Sequence, residues 1–243
     1  MFRLERHLAR LEQSLAVLEI PAPPELRDWI HASLPDVQDG DAAIRLTVTR
    51  GVGAAGLPPP AEVVPTVLVV VSPRPVFPAA TYEAGLTAQI ASGRRNEHAM
   101  TAGLKTVAYT DAVLALLEAR RAGADEAIFL DTAGHCSEAT ASNLFALSQG
   151  ILITPPLTCA ALPGVTRATV LELASALNIP AAEREFELDE LLGSDEIFLT
   201  SSLRGIAPVS RVGEHAIGSG TPGPVTRRIA AEYAAVVERE CGS

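Results

Sequence analysis

No stretch of this sequence is apolar for long enough to cross a bilayer; the longest such run, Thr66 to Ser72, is far too short. The first residues, Met1-Phe2-Arg3-Leu4-Glu5-Arg6-His7, are charged and lack the apolar centre of a secretory signal. A cytoplasmic protein with no membrane partner is therefore expected. Basic clusters are also missing. None exceeds the pairs Arg94-Arg95 and Arg120-Arg121, and the formal net charge is -10, which argues against nucleic acid as a partner. The three cysteines, Cys136, Cys159 and Cys241, are odd in number and widely spaced, so no disulfide framework or zinc pattern is read from them. The histidines (His7, His31, His98, His135, His215) are equally scattered, and no metal site is expected. Internal repeats and low-complexity tracts are absent from the sequence.

The most informative scarcity is lysine. Of 19 basic residues, Lys105 is the only lysine and the rest are arginine. Arginine replaces lysine wherever a surface cation suffices. It cannot replace an amine that must lose its proton and attack a carbonyl, because guanidinium stays protonated. Schiff-base chemistry is the main role that demands lysine itself. Codon bias towards arginine explains the background equally well, so the count alone leaves the role of Lys105 open.

The residues that are present suit a compact chain of one large domain or two small ones: 243 residues, 48% hydrophobic and 20% charged. Leu4, Leu8, Leu11, Leu15 and Leu18 lie on one face of a helix over 4–18, which Pro21, Pro23 and Pro24 end. A second helix is expected over 25–34 with Leu26, Trp29, Ile30 and Leu34 inward, then a polar turn from Asp36 to Asp41. Ile44, Leu46 and Val48 alternate with Arg45, Thr47 and Thr49, the period of a half-buried strand. After a loop from Arg50 to Pro65, the β-branched run Thr66 to Val71 predicts a buried strand, and Gly85 to Ala91 another. Further on, a helix over 108–121 ends at Gly123, a strand follows over 127–130, and Asp131 to Gly134 is turn chemistry. Leu144 to Leu147 and Ile151 to Thr154 flank Ser148-Gln149-Gly150 as a hairpin. Helices over 166–177 and from Thr221 onward, with strands over 196–199 and 206–212, complete the pass. A small α+β domain over 1–80 and a larger domain over 81–243 are expected.

Several stretches could carry chemistry. Leu162-Pro163-Gly164-Val165-Thr166-Arg167 opens a helix, whose first N–H groups and dipole suit an anion such as phosphate; an ordinary strand-to-helix turn reads the same way. Thr200-Ser201-Ser202 offers hydroxyls after the apolar strand, or merely a turn. Glu138 enters an apolar strand, where a carboxylate is costly without a partner; a protonated pyridine nitrogen is one such partner, and surface exposure is the plainer account. Arg45 could fork onto a substrate carboxylate or simply be solvated, and Arg10 lies on the polar side of the first helix.

Taken in order, these stretches resemble the aminotransferase class IV, branched-chain-aminotransferase-like family of pyridoxal 5'-phosphate (PLP) enzymes. That family also holds D-amino acid aminotransferases and 4-amino-4-deoxychorismate lyases. The resemblance runs from Phe2-Arg3-Leu4 to Gly223-Pro224-Val225-Thr226. It is most specific at Gly103-Leu104-Lys105-Thr106, at Ser137-Glu138 with Ser142-Asn143-Leu144-Phe145, at Leu162 to Arg167, and at Leu199 to Val209. It implies PLP fold type IV: a small N-terminal α+β domain and a larger domain with a β-barrel-like sheet and helices. Relatives usually carry further strands before Phe2, so the small domain is expected to be N-terminally short. By the resemblance, catalytic Lys105 joins PLP as a Schiff base and Glu138 pairs with the pyridine nitrogen. Arg10, the N–H groups of Val165 and Thr166 and the Ser202 hydroxyl hold the phosphate, Gly164 and Ser201 are further cofactor-binding residues, and Tyr109 touches the phenolic oxygen, though its spacing from the lysine varies in the family. Arg45 and the backbone at Leu203 face the substrate carboxylate.

The resemblance leaves the reaction between two outcomes. Thr49-Arg50-Gly51 and Thr200 to Val209 look closer to lyases, which release pyruvate and 4-aminobenzoate from aminodeoxychorismate. Leu162 to Arg167 fits transaminases equally well, and amino transfer, the commoner activity, is the expectation. A degenerate, non-catalytic PLP-binding protein is the further alternative. Small amino acids and 2-oxo acids are the implied substrates, and a homodimer the implied assembly.

Overall fold

The computed structural model describes residues 1–34 and 42–242. The polar turn expected from Asp36 to Asp41 lies outside the described residues. The chain divides into two compact units, one of Glu5–Val76 and one of Met1–Leu4 with Phe77–Ser243.

The first unit follows its periodicity. Helix α1 (Leu4–Val17) buries Leu8 and Leu15, and α2 (Leu26–Ala32) buries Leu26 and Ile30. Trp29, expected inward, is 41% exposed. The 7-residue helix buries only its Leu26/Ile30 stripe, and Trp29 falls off that stripe. Strands β1 (Ala42–Thr49) and β2 (Thr66–Pro73) form an antiparallel ribbon in which Arg45 pairs with Val70. The reading of 66–71 as a buried strand is corrected: no residue of β2 is buried, and Leu68 is 54% exposed. A β-branched run marks a strand, but burial on both faces needs covering layers that a two-stranded ribbon does not contain. Arg50 donates to the carbonyls of Leu18 and Glu19, which satisfies the C-terminal end of α1.

The second unit contains α3 (Ala79–Ala84), β3 (Leu86–Arg95), α4 (Thr110–Arg121), β4 (Glu126–Asp131), β5 (Cys136–Ala139), β6 (Asn143–Ser148) and β7 (Ile151–Thr154). It continues through α5 (Val165–Ala176), β8 (Ala181–Glu183), α6 (Leu188–Leu192), β9 (Glu196–Ser201), β10 (Gly205–Val212), β11 (His215–Ala216) and α7 (Pro224–Cys241). No helix among the described residues is long and apolar enough to cross a membrane. The β6–β7 hairpin turns on Gln149 and Gly150 at φ +52° and +78°, left-handed values that match the twist of the flanking strands. The elements absent from the sequence reading are the short ones, α3, β5, β8, α6 and β11, whose periodicity spans too few residues to register.

The sheet has 9 strands, and β9 pairs with both β6 and β10. That double pairing closes a ring through β10, β3, β4, β5, β6 and β9. Alternation along the strands separates two hydrophobic cores. Leu144, Ala146, Ile197, Leu199, Ala207 and Val209 pack on one face. Phe145, Phe198 and Ile206 pack on the other against Val170 and Ala174 of α5 and Ile229 and Tyr233 of α7. The rings of Phe145 and Phe198 stack at 5.0 Å.

Candidate active site

The site begins with a partly buried carboxylate, Glu138. Glu138 on β5 pairs in register with Asn143 on β6, and Asn143 pairs with Thr200 on β9, so these side chains form a row across the sheet. Glu138 Oε2 accepts the Leu162 N–H at 2.9 Å and the Asn143 Nδ2 amide at 3.3 Å, while Oε1 lies 3.5 Å from Arg95 Nη2. Burial pushes the Glu138 carboxyl up from the ordinary glutamate value, opposed by the Leu162 N–H and by the charges of Arg95 and Lys105. Lys105 is thus an electrostatic neighbour of Glu138. It is exposed, its Nζ donates to Tyr109 Oη, and it stands 5.0 Å from the centre of the Tyr109 ring.

Asn143 also fixes the segment that enters α5. Its Nδ2 donates to the Leu162 carbonyl at 2.8 Å. A Cβ added to Gly164 would lie 2.0 Å from Asn143 Oδ1, so only glycine permits this approach. Gly164 caps α5 without a side-chain hydrogen bond, and the first turn of the helix closes with Ala168 N–H on Gly164 O. The N–H groups of Val165, Thr166 and Arg167 precede that bond and have no intrahelical acceptor. The start of α7 is treated differently: the Glu196 carboxylate accepts Val225 N–H at 3.0 Å and Thr226 N–H at 2.6 Å. Arg167 anchors the beginning of α5 through Pro155 O at 2.9 Å and Glu183 at 2.6 Å.

The remaining expected residues fall in two groups. Ser201 Oγ accepts Arg204 N–H at 3.3 Å in the turn between β9 and β10, where Ser202 and Leu203 are exposed. Arg10, on α1 with Nη2 3.4 Å from His7 Nδ1, and Arg45, exposed on β1, belong to the other unit. Arg95 escaped the sequence reading, which saw it only as half of a basic pair. Its approach to Glu138 depends on β3, β4 and β5 lying side by side, and no local spacing signals that. The Arg95 guanidinium also stacks 4.4 Å from the Phe129 ring centre, which holds it in place. Thr200 was read only as one of three hydroxyls. Its Oγ1 is buried with no protein partner, an orphan in the row that runs to Glu138.

The sequence pattern of the family Amino-transferase class IV matches residues 1–212. The chain belongs to the class IV aminotransferases. It is 32% identical over 235 residues to the branched-chain-amino-acid aminotransferase of Escherichia coli, covering 94% of this chain and 76% of that one. The crystal structure of the Escherichia coli enzyme superposes with a TM-score of 0.92 over 97% of this chain and 79% of the other, at 31% identity. The 4-amino-4-deoxychorismate lyase of Pseudomonas aeruginosa is 36% identical, with a TM-score of 0.85 over 98% of this chain and 85% of that one. The PLP-form branched-chain amino acid aminotransferase of Thermobaculum terrenum is 31% identical, with a TM-score of 0.88 over 97% and 78%. The fold is accordingly fold type IV with a closed barrel-like sheet, and a class IV aminotransferase is a PLP-dependent enzyme.

Proposed function

We propose that this class IV aminotransferase moves an amino group between an amino acid and a 2-oxo acid, with Lys105 as the residue that joins PLP covalently. The observation that carries the proposal is that the chain's only lysine lies near enough to the partly buried Glu138 carboxylate for its charge to act on it. The residues present fit the cofactor. Glu138 Oε2 is already engaged, so Oε1, shared with Arg95, remains for a protonated pyridine nitrogen. The N–H groups of Val165 and Thr166 after Gly164 suit a phosphate, joined by the hydroxyl of Ser202. The Leu203 backbone would receive the substrate carboxylate.

Bound PLP supplies an aldehyde that captures amines and a ring that accepts the electron pair left by loss of an α-proton. The chain supplies the proton traffic. Lys105 Nζ would take the α-proton and return it on the other side of the transfer. Tyr109 Oη accepts a hydrogen bond from that amine and would hold it near the cofactor's phenolic oxygen. A cytoplasmic homodimer acting on small amino acids and 2-oxo acids completes the reading.

Borohydride reduction of the PLP-loaded protein, followed by peptide mass spectrometry, tests it. A pyridoxyl adduct on Lys105 is expected, and a cofactor-loaded protein without that adduct refutes the assignment. Donor screening with pyruvate and 2-oxoglutarate beside an aminodeoxychorismate assay then identifies the reaction. A second reading, 4-amino-4-deoxychorismate lyase, is supported by the stretch Thr200 to Val209. Pyruvate release without amino transfer would select it, and PLP binding with no turnover of any substrate would select a non-catalytic binding protein.

A further inference from the structure

We propose that Asp131, His135 and Cys159 bind one divalent transition-metal ion of the zinc type, using no side chain assigned to the cofactor. Asp131 ends β4, His135 stands in the bridge before β5, and Cys159 closes a short 3-10 turn, Leu157–Cys159. One ligating atom from each lies within 4.8 Å of the others. Bonds of about 2.0–2.3 Å to tetrahedral zinc separate neighbouring ligand atoms by about 3.3–3.8 Å. His135 Nδ1 and Asp131 Oδ2, 3.3 Å apart, are already at that spacing. The third ligand needs a shift of at most about 1 Å.

The backbone holds the ligands in advance. His135 N–H donates to Asp131 Oδ1 at 2.8 Å, Asp131 N–H donates to His135 O at 2.8 Å, and Ser137 Oγ donates to Cys159 O at 2.5 Å. Asp131 is 3% exposed and Cys159 1%, while His135 is part-exposed, so the cluster is open to solvent on the histidine side. Glu185 Oε2 lies 3.9 Å from His135 Nε2, the ring nitrogen left over when Nδ1 binds the metal. At that distance the carboxylate is an ionic neighbour of the ring, not a hydrogen-bond partner. One sulfur, one nitrogen and one oxygen donor favour zinc over magnesium or calcium. Carboxylate and thiolate together neutralise a doubly charged cation. Three protein ligands leave a fourth position for water.

The test uses the PLP-loaded full chain, stripped with a chelator and titrated with Co2+ and then Zn2+. One cobalt per chain is expected, with tetrahedral visible bands and a sulfur-to-cobalt charge-transfer band that zinc abolishes. Cys159→Ser and His135→Ala should each lose the bound equivalent, while Lys105→Ala should keep it. His135 is part-exposed, so its truncation leaves the core intact and guards against misfolding of the cysteine variant. No metal retained by the wild type, a full equivalent retained by both ligand variants, or loss in Lys105→Ala would each overturn the proposal.

Discussion

At Glu138, burial and charge pull in opposite directions, and the balance can be measured. Its carboxyl is raised in the folded chain, so its contribution to stability is fully present below the ordinary glutamate range and is lost as pH rises through the raised value. The stability of the cofactor-free wild type relative to Glu138→Gln should therefore fall from acid to neutral pH. Thermal unfolding of both proteins across that interval checks it, and a constant gap would show that burial does not govern the group. With PLP present, Glu138→Gln should retain some cofactor but turn over slowly, because a neutral amide cannot hold a pyridinium proton. Lys105→Arg keeps a positive charge but not a removable proton. Its turnover should drop by about 10²–10⁴-fold or more, the scale of losing a general base, and near-normal rates would refute the role of Lys105.

Among the elements, α5 and α7 pack on the same face of the sheet but differ at their N-termini. Glu196 fills the start of α7, so Glu196→Ala should cost about 0.5–2 kcal/mol in denaturant unfolding with little change in PLP affinity. The start of α5 has no side-chain cap, and Gly164 lets it sit against Asn143. Gly164→Ala should displace Asn143 from Leu162 and Glu138, so PLP affinity falls more than stability does; cofactor titration beside unfolding separates the two. Both helices were legible in the sequence because apolar residues recur over several turns. The short strand β5 was not, although it carries Glu138; it spans 4 residues and owes its place to pairing with β4 and β6.

For the molecule as a whole, the ring closed by β9 sets both cores and the site. Phe198 pairs with Phe145 across β9 and β6 and stacks on it, so Phe198→Ala should destabilise the protein by about 3–5 kcal/mol in equilibrium unfolding. A loss under 1 kcal/mol would mean that the helix-facing core is loosely packed. The stretches around Lys105, Glu138, Gly164 and Ser201 stood out without coordinates, each with a plain reading beside it, and it was their order along the chain that resembled a family. The helices over 4–17 and 165–176 and the hairpin at Gln149-Gly150 were legible because they depend on residue type and short spacing. The partners were not. Arg95 meets Glu138 only because β3, β4 and β5 lie beside one another, and Cys159 meets Asp131 and His135 only because its turn is held against β5 through Ser137. Likewise, Trp29 and β2 were expected inside on local pattern but are not buried. Periodicity says which face of an element is apolar. Whether that face is covered, and by which distant residue, is decided by the closing of the sheet and the packing of helices upon it.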